Sequence, residues 1–336
     1  MTGKVRVGIV GTGRIGRVHT QTVRQRIPEA EVVAVTDINL AAAQQCAADF
    51  GIPTVAPNFG ALLDDPSIDA VLICSATDTH APYIIQAANA GKHIFCEKPI
   101  AADLAAIDSA LAAVSKAGVK LMIGFNRRFD SNHSRIKQAI ESGEIGTPQL
   151  LHIISRDPSP PPVSYVKVSG GMFFDMTIHD FDMARFLLGD VVEVYAVGGV
   201  MVDPAIGEAG DIDTAVITLK FANGAIGTID NSRQAVYGYD QRVEVFGSKG
   251  SASSGNLYAD AVTISTASSV YRGLPLNFFM DRYIPSYQLE VTQFIHSVLN
   301  NTETPVTGAD GRAPVVIAKA AIKSLHENRP VKLTEI

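Results

Sequence analysis

The sequence predicts an α/β unit on a parallel sheet, followed by an α+β unit whose sheet is mainly antiparallel. Three observations predict it. Short apolar, β-branched strands alternate with helices over residues 1–125. A glycine turn, Gly11-Thr12-Gly13-Arg14-Ile15-Gly16, joins the first strand to the first helix. After residue 125 the strands alternate in hydrophobicity, and turn signals such as Asn223-Gly224 favour hairpins. A chain of 336 residues exceeds one ordinary hydrophobic core, so two domains are expected, 1–125 and 126–336.

The first elements fix the chemistry of the first domain. Residues 5–10 read as a buried strand, 15–25 as a helix and 32–36 as a second strand with Asp37 at its end. Strand, glycine turn, helix, strand and acid, in that order, are the dinucleotide fingerprint. Gly11 permits the tight turn, Gly13 lets the backbone approach a pyrophosphate, and Gly16 lets helix and strand pack closely. The helix N-terminus offers N–H groups and a positive dipole end to the phosphates. Asp37 is placed to accept hydrogen bonds from the adenosine ribose and to repel the extra phosphate of NADP. Ile38 follows it, not an arginine that could receive that phosphate, so NAD is the expected cofactor.

Residues 70–74, 94–97 and 120–124 read as further strands. Residues 82–90 and 103–117 read as helices stopped by Gly91 and Gly118. Ligands of a parallel sheet bind beyond the carboxyl ends of its strands. This draws Ser75, Ala76, Thr77, His80, Glu97 and Lys98 into the expected cofactor site, though a buried, hydrogen-bonded role for His80 stands beside that reading.

In the second domain, helices are expected at 131–141, 172–188, 286–299 and 313–327. Strands are expected at 150–155, 192–200, 214–221, 225–231 and 242–247. A loop carrying Pro158, Pro160, Pro161 and Pro162 reads as a stiff lid, an oligomer arm or a plain surface loop. No internal repeat is evident.

These residues resemble the glucose–fructose oxidoreductase, inositol dehydrogenase and MocA-like family. The likeness rests on residues 11–16, on 69–80, and on Ala90-Gly91-Lys92-His93 running into Cys96-Glu97-Lys98-Pro99. It continues in 124–129 and in Asp175-Met176-Thr177-Ile178-His179. Residues 155–158, 168–171 and 237–240 are most similar to its inositol-oxidising members. The resemblance implies a Rossmann domain and a second domain with a large, open sheet through which subunits pair, commonly as tetramers. It also implies a Lys98–Pro99 bond that is often cis, and NAD-dependent oxidation of myo-inositol to its 2-keto product. Oxidation of scyllo-inositol or an aldose, NAD-dependent glycoside cleavage, or a silent NAD-binding regulator are the competing expectations.

Oxidising a secondary alcohol sends a hydride to the nicotinamide and a proton to a base. On the expected helix 172–188, Asp175 and His179 are four apart and share a face. His179 is read as the base, Asp175 as the carboxylate that orients it, and Lys98 as the donor to the reacting oxygen. The resemblance implies the same roles. An ordinary helix ion pair and a metal site made with Asp180 and Asp182 are the rival readings. The second lacks a third strong ligand on the same face, so no metal is expected. Arg128, Asp157 and Tyr239 are the candidates for substrate hydroxyls, with Arg127, Lys167 and Asn126 behind them.

Composition bounds the partners. Hydrophobic residues make up 46% and charged residues 18%, with a net charge of −6 and no basic block. This argues against nucleic acid and anionic membranes; a small neutral polyol is the partner that the resemblance implies. No apolar run approaches the roughly 20 residues of a membrane span. Three scattered cysteines and a start without leader character suggest a cytoplasmic protein.

Overall fold

The computed structural model describes residues 3–336, so the reading of the N-terminus falls partly outside the described residues. Two compact units result. One comprises residues 1–126 and 285–315, the other 127–284 and 316–336. The return of 285–315 to the first unit departs from a single cut near residue 125.

In the first unit, β1 (Val5–Val10), α1 (Arg14–Arg26), β2 (Ala30–Thr36), α2 (Leu40–Phe50), β3 (Thr54–Val55) and α3 (Phe59–Leu63) come first. Then follow β4 (Ala70–Ile73), α4 (Thr77–Asn89), β5 (His93–Glu97), α5 (Leu104–Ala117) and β6 (Leu121–Gly124). The six strands lie in the order β3-β2-β1-β4-β5-β6, and every pairing is parallel. Helices on both faces bury Val7, Ile9, Val71, Leu72, Ile94 and Phe95 completely. The strand order reverses between β1 and β4, which opens a crevice beyond their carboxyl ends. Helix α5 shows why the local reading works: the Asp103 carboxylate caps the Ala106 N–H at 3.0 Å, and Gly118 ends the helix in the left-handed region.

The second unit holds α6 (Ser131–Glu141), β7 (Pro148–Arg156), α7 (Val163–Ser169), α8 (Met172–Asp175), α9 (Ile178–Leu188), β8 (Val191–Gly199) and α10 (Pro204–Glu208). Next come β9 (Thr214–Phe221), β10 (Ile226–Ser232), β11 (Asp240–Gly247), β12 (Gly250–Ser254), and a small pair, β13 (Thr263–Ser265) with β14 (Val270–Arg272). The long helices α11 (Phe279–Asn300) and α12 (Gly308–Glu327) each contribute residues to both units, and β15 (Val331–Lys332) follows.

The seven-stranded sheet has the order β12-β11-β7-β10-β9-β8-β15. Its pairings are antiparallel except β7 with β10, so the expected mainly antiparallel character holds. The Asn223-Gly224 turn joins β9 to β10 as expected; Gly224 has φ +88° and the Asn223 side chain accepts from the Ala225 N–H. One expected helix is corrected. Residues 172–188 form α8 and α9, separated at Met176-Thr177.

Candidate active site

In the first unit the glycine turn is forced by contact. Gly11 has φ +89°, and a Cβ there would lie 2.5 Å from the Cys74 carbonyl oxygen. A Cβ on Gly16 would lie 1.8 Å from the Gly11 oxygen. Only glycine lets the loops after β1 and β4 meet with helix α1 packed on them. At Gly13 a Cβ would meet nothing within 4 Å, and no side chain caps α1. The start of this helix, at Arg14 and Ile15, thus combines an uncapped positive end with open space, the arrangement a pyrophosphate needs.

Asp37 does two jobs. Its Oδ2 accepts the Thr12 N–H at 2.6 Å and the Thr12 hydroxyl at 3.0 Å, and its Oδ1 accepts the Asn39 N–H at 2.8 Å. It therefore ties the glycine turn to the end of β2. A carboxylate has about four acceptor positions, so room for a ribose hydroxyl remains. Ile38 is fully exposed beside it. These features fit a bound NAD.

Beyond β4, the Ser75 and Thr79 hydroxyls share a hydrogen bond of 2.6 Å, and Ala76 precedes α4, which begins at Thr77 without a side-chain cap. His80 has a different place from the one expected of a cofactor ligand. It is buried, with Nδ1 2.8 Å from the Pro99 oxygen and Nε2 3.0 Å from the Ser75 oxygen. Burial pushes its pKa down while the two carbonyl contacts oppose that shift, and the ring ties together two backbone turns. The Lys98–Pro99 bond is cis, and Lys98 follows the last residue of β5. Glu97 accepts from His19 at 2.6 Å, and the buried Glu290 of α11 completes a cluster within 4.8 Å. Burial pushes Glu290 well above the usual carboxylate range, and the Glu97 charge adds to it.

The second unit grades from apolar to polar along the inner face of its sheet. Leu151, Leu219 and Val245 fill one end. Toward the other, β10 and β11 align Asn231 and Gln241 with Ser155 of β7, all buried. Just beyond these strands stand Asp157, Arg233 and Tyr239; the Asp157 N–H bonds the Ser232 oxygen at 3.0 Å. The polar end continues into α9. The Arg127 guanidinium pairs with Asp180 at 2.6 Å and reaches the Tyr239 hydroxyl at 3.3 Å. The Asn231 amide donates to Asp180 at 2.9 Å and accepts from the Thr177 hydroxyl at 2.7 Å.

These bonds explain the break between α8 and α9. The Thr177 N–H reaches back to the Met172 oxygen at 3.0 Å, and the Asp180 N–H reaches the Thr177 oxygen at 2.8 Å. The ladder is interrupted, so the one-face argument for Asp175 and His179 does not apply. Asp175 closes α8 and His179 is the second residue of α9. Asp175 accepts from the Tyr165 hydroxyl at 2.9 Å and from Arg233 at 3.3 Å. Asp157 lies in the same charged neighbourhood, and its pKa is pushed up to about 6, chiefly by burial.

The Arg128 fork grips Asp182 of α9 at 2.9 and 2.6 Å through Nε and Nη2, and its guanidinium stands 5.3 Å from the centre of the Phe186 ring, which ties it to that helix. Tyr239 is buried beneath Arg127 and edge-on to Tyr283. Among the secondary candidates, Arg127 and Asn126 are buried and Lys167 is exposed. Asn231, Arg233, Asp211 and Tyr165 are site residues that the sequence reading missed. Strand parity was the available signal for two of them: Gly227, Ile229, Asn231 and Arg233 alternate on the buried side of β10 and its continuation.

Comparison with known proteins agrees with this architecture. Residues 5–125 match the family model described as an oxidoreductase family with an NAD-binding Rossmann fold, and residues 133–253 match the GFO/IDH/MocA C-terminal domain. The chain is 52% identical to the uncharacterized oxidoreductase YrbE of Bacillus subtilis, covering 99% of this chain and 98% of that one. It is 46% identical to the myo-inositol 2-dehydrogenase of Thermotoga maritima, covering 99% of each. A crystal structure of a probable dehydrogenase from Thermotoga maritima superposes with a TM-score of 0.97 at 46% identity, covering 98% of this chain and 99% of that one.

Proposed function

Because the chain belongs to the GFO/IDH/MocA family of NAD-binding oxidoreductases, we propose that it oxidises a secondary hydroxyl of myo-inositol to the 2-keto inositol with reduction of NAD. The 46%-identical myo-inositol 2-dehydrogenase supports this substrate. The observation that carries the reading is the polar end of the second unit's sheet. There, acceptors and donors on Asp157, Asp175 and Tyr165 surround the break from which α9 starts. Such groups suit a ligand rich in hydroxyls, because each can exchange a hydrogen bond with one: Asp157 and Asp175 are half-buried and Tyr165 is exposed, so they remain open to it.

NAD, when bound, accepts the hydride from the carbinol carbon. His179 takes the hydroxyl proton, and Asp175 orients the ring and stabilises its charged form. Lys98 donates to the reacting oxygen and favours the developing alkoxide. Asp157 recognises a substrate hydroxyl. The protein works as a homotetramer paired through the open sheet, in the cytoplasm, in inositol breakdown. No helix among the described residues is long and apolar enough to cross a membrane, and Cys46, Cys74 and Cys96 are unbridged, which suits a reducing compartment.

The test is NADH formation across myo-, scyllo- and chiro-inositol, glucose and xylose, with Lys98→Ala and His179→Ala alongside. We expect myo-inositol to be preferred, and each variant to lose at least a hundredfold in kcat while still binding NAD. Another preferred cyclitol or sugar would replace the substrate. No reaction in any member of the panel would end the dehydrogenase reading.

A further inference from the structure

Arg233 carries a buried charge for which the roles above have no use. It follows β10 at the polar end of the sheet, with 1% of its side chain exposed. Its Nη1 donates to Asp175 Oδ2 at 3.3 Å, and its Nη2 lies 3.5 Å from Asp211 Oδ2. Nε and Nη2 have no hydrogen-bond partner, so ion pairing is what offsets the burial of this cation.

Asp211 is itself anchored. It accepts the Met172 N–H at 3.0 Å. It also lies so close to Gly171, at φ +85°, that a Cβ there would sit 2.9 Å from its Oδ1. Because α8 runs only from Met172 to Asp175, Arg233 braces this turn at both ends. It acts through Asp211 at the first residue and directly at the last.

We propose that Arg233 is a positioning residue that holds Asp175 and, by dividing one positive charge between Asp175 and Asp211, sets how strongly Asp175 acts on His179. The inference rests on the roles given above to Asp175 and His179. The step it serves is proton transfer from the substrate hydroxyl to the His179 ring, which must be neutral to accept. Removing the Arg233 charge leaves the two carboxylates less compensated and favours the protonated ring. The pH needed to free the base then rises. Removing the Asp211 charge does the reverse. The other groups facing this cluster are the Tyr165 hydroxyl of α7, Asp157 after β7, and the Arg127–Asp180 pair. The Tyr165 hydroxyl and the Arg127–Asp180 pair are common to all variants. Asp157, whose carboxyl Arg233 holds down, becomes more protonated when Arg233 is lost and so works against the upward shift rather than producing it, and opposite signs still isolate the brace.

The experiment uses the full chain. The pH profile of kcat/KM is measured for wild type, Arg233→Met, Arg233→Lys and Asp211→Asn. His179 is titrated by NMR in histidine-labelled protein, its signal identified by loss in His179→Gln. In Arg233→Met the acid limb and the His179 titration move up by about one pH unit. In the same variant kcat at neutral pH falls about tenfold while the KM for NAD is unchanged. Arg233→Lys restores most of the shift, and Asp211→Asn moves both readouts down. Profiles that overlay wild type, or that shift in one direction for both charge removals, overturn the brace. If Arg233→Met does not fold, Asp211→Asn decides alone: a downward shift supports the brace and no shift overturns it. If wild type oxidises no cyclitol, the proposed function fails, and the NMR titration still decides the brace by the same signs.

Discussion

A carboxyl group partly withdrawn from water resists ionisation, and the half-buried Asp157 is such a group. Burial raises its pKa to about 6 from an ordinary 3.8; Asp175 and Asp180 add to the shift, while Arg233 and Arg127 oppose it. A folded-state value above the unfolded one means that the folded protein binds the proton more tightly. Its stabilising contribution is therefore complete below about pH 4 and is lost as pH rises through 6. Asp157→Asn should match wild type in stability near pH 4 and exceed it by on the order of 2–3 kcal/mol at pH 7. Denaturant unfolding across this range measures the gap, and a gap independent of pH would refute the assignment. Glycines and Asp37 were legible as single residues because their backbone demands leave a fixed spacing. Arg233 was not, since an arginine after a strand reads as surface until the alternation of β10 is followed past its end.

Elements show where local rules stop. The sequence reading began α4 and α12 five residues late and α11 seven residues late, because prolines looked like starts. Pro82, Pro285 and Pro314 instead lie inside those helices. In each the residue four before the proline, whose carbonyl loses its partner, is an aspartate of the first turn: Asp78, Asp281 and Asp310. An acid near the helix N-terminus is favourable there, so a cue was present in the sequence. The break between α8 and α9 had no such cue, because its cause is a tertiary bond. Thr177→Val keeps the shape and deletes the hydroxyl, leaving Asn231 Oδ1 buried without its 2.7 Å donor. We expect a loss of about 1–3 kcal/mol in stability together with a lower kcat, since His179 lies in the first turn of the helix that this bond fixes. Thermal unfolding and steady-state kinetics check both. Unchanged stability would mean that the break is held by other contacts.

At the scale of the whole molecule, the outer face of the seven-stranded sheet is unlike an ordinary surface. In register across β11, β7 and β10 stand Phe246, Leu150 and Ile226, each about half exposed. The row continues into Lys220 and Glu193, which pair at 2.6 Å. Val216 and Val197, opposite each other on β9 and β8, add a second apolar step. Between the two apolar steps the registers place Glu244, His152, Thr228, Thr218 and Tyr195, so the face carries two apolar strips separated by a polar row, a mixed surface of the kind that suits cover by another protein. The β7–β10 pairing that aligns this row is parallel and joins segments some seventy residues apart. No local pattern could announce it, although each strand's outward positions were readable one at a time. A second copy of the chain is the proposed cover, and symmetry then brings the same row against itself or its neighbour. Leu150→Glu places a carboxylate in the middle of the row without touching the inward-facing core of Leu151 and Ile153. A buried, unpaired carboxylate at a self-contact is repeated at every symmetric interface, so even a cost of about 3 kcal/mol per contact lowers association over a hundredfold. Sedimentation velocity should show wild type as a tetramer and Leu150→Glu as a smaller species with NAD binding intact. A wild-type monomer, or a variant that sediments like wild type, would remove this face from the assembly.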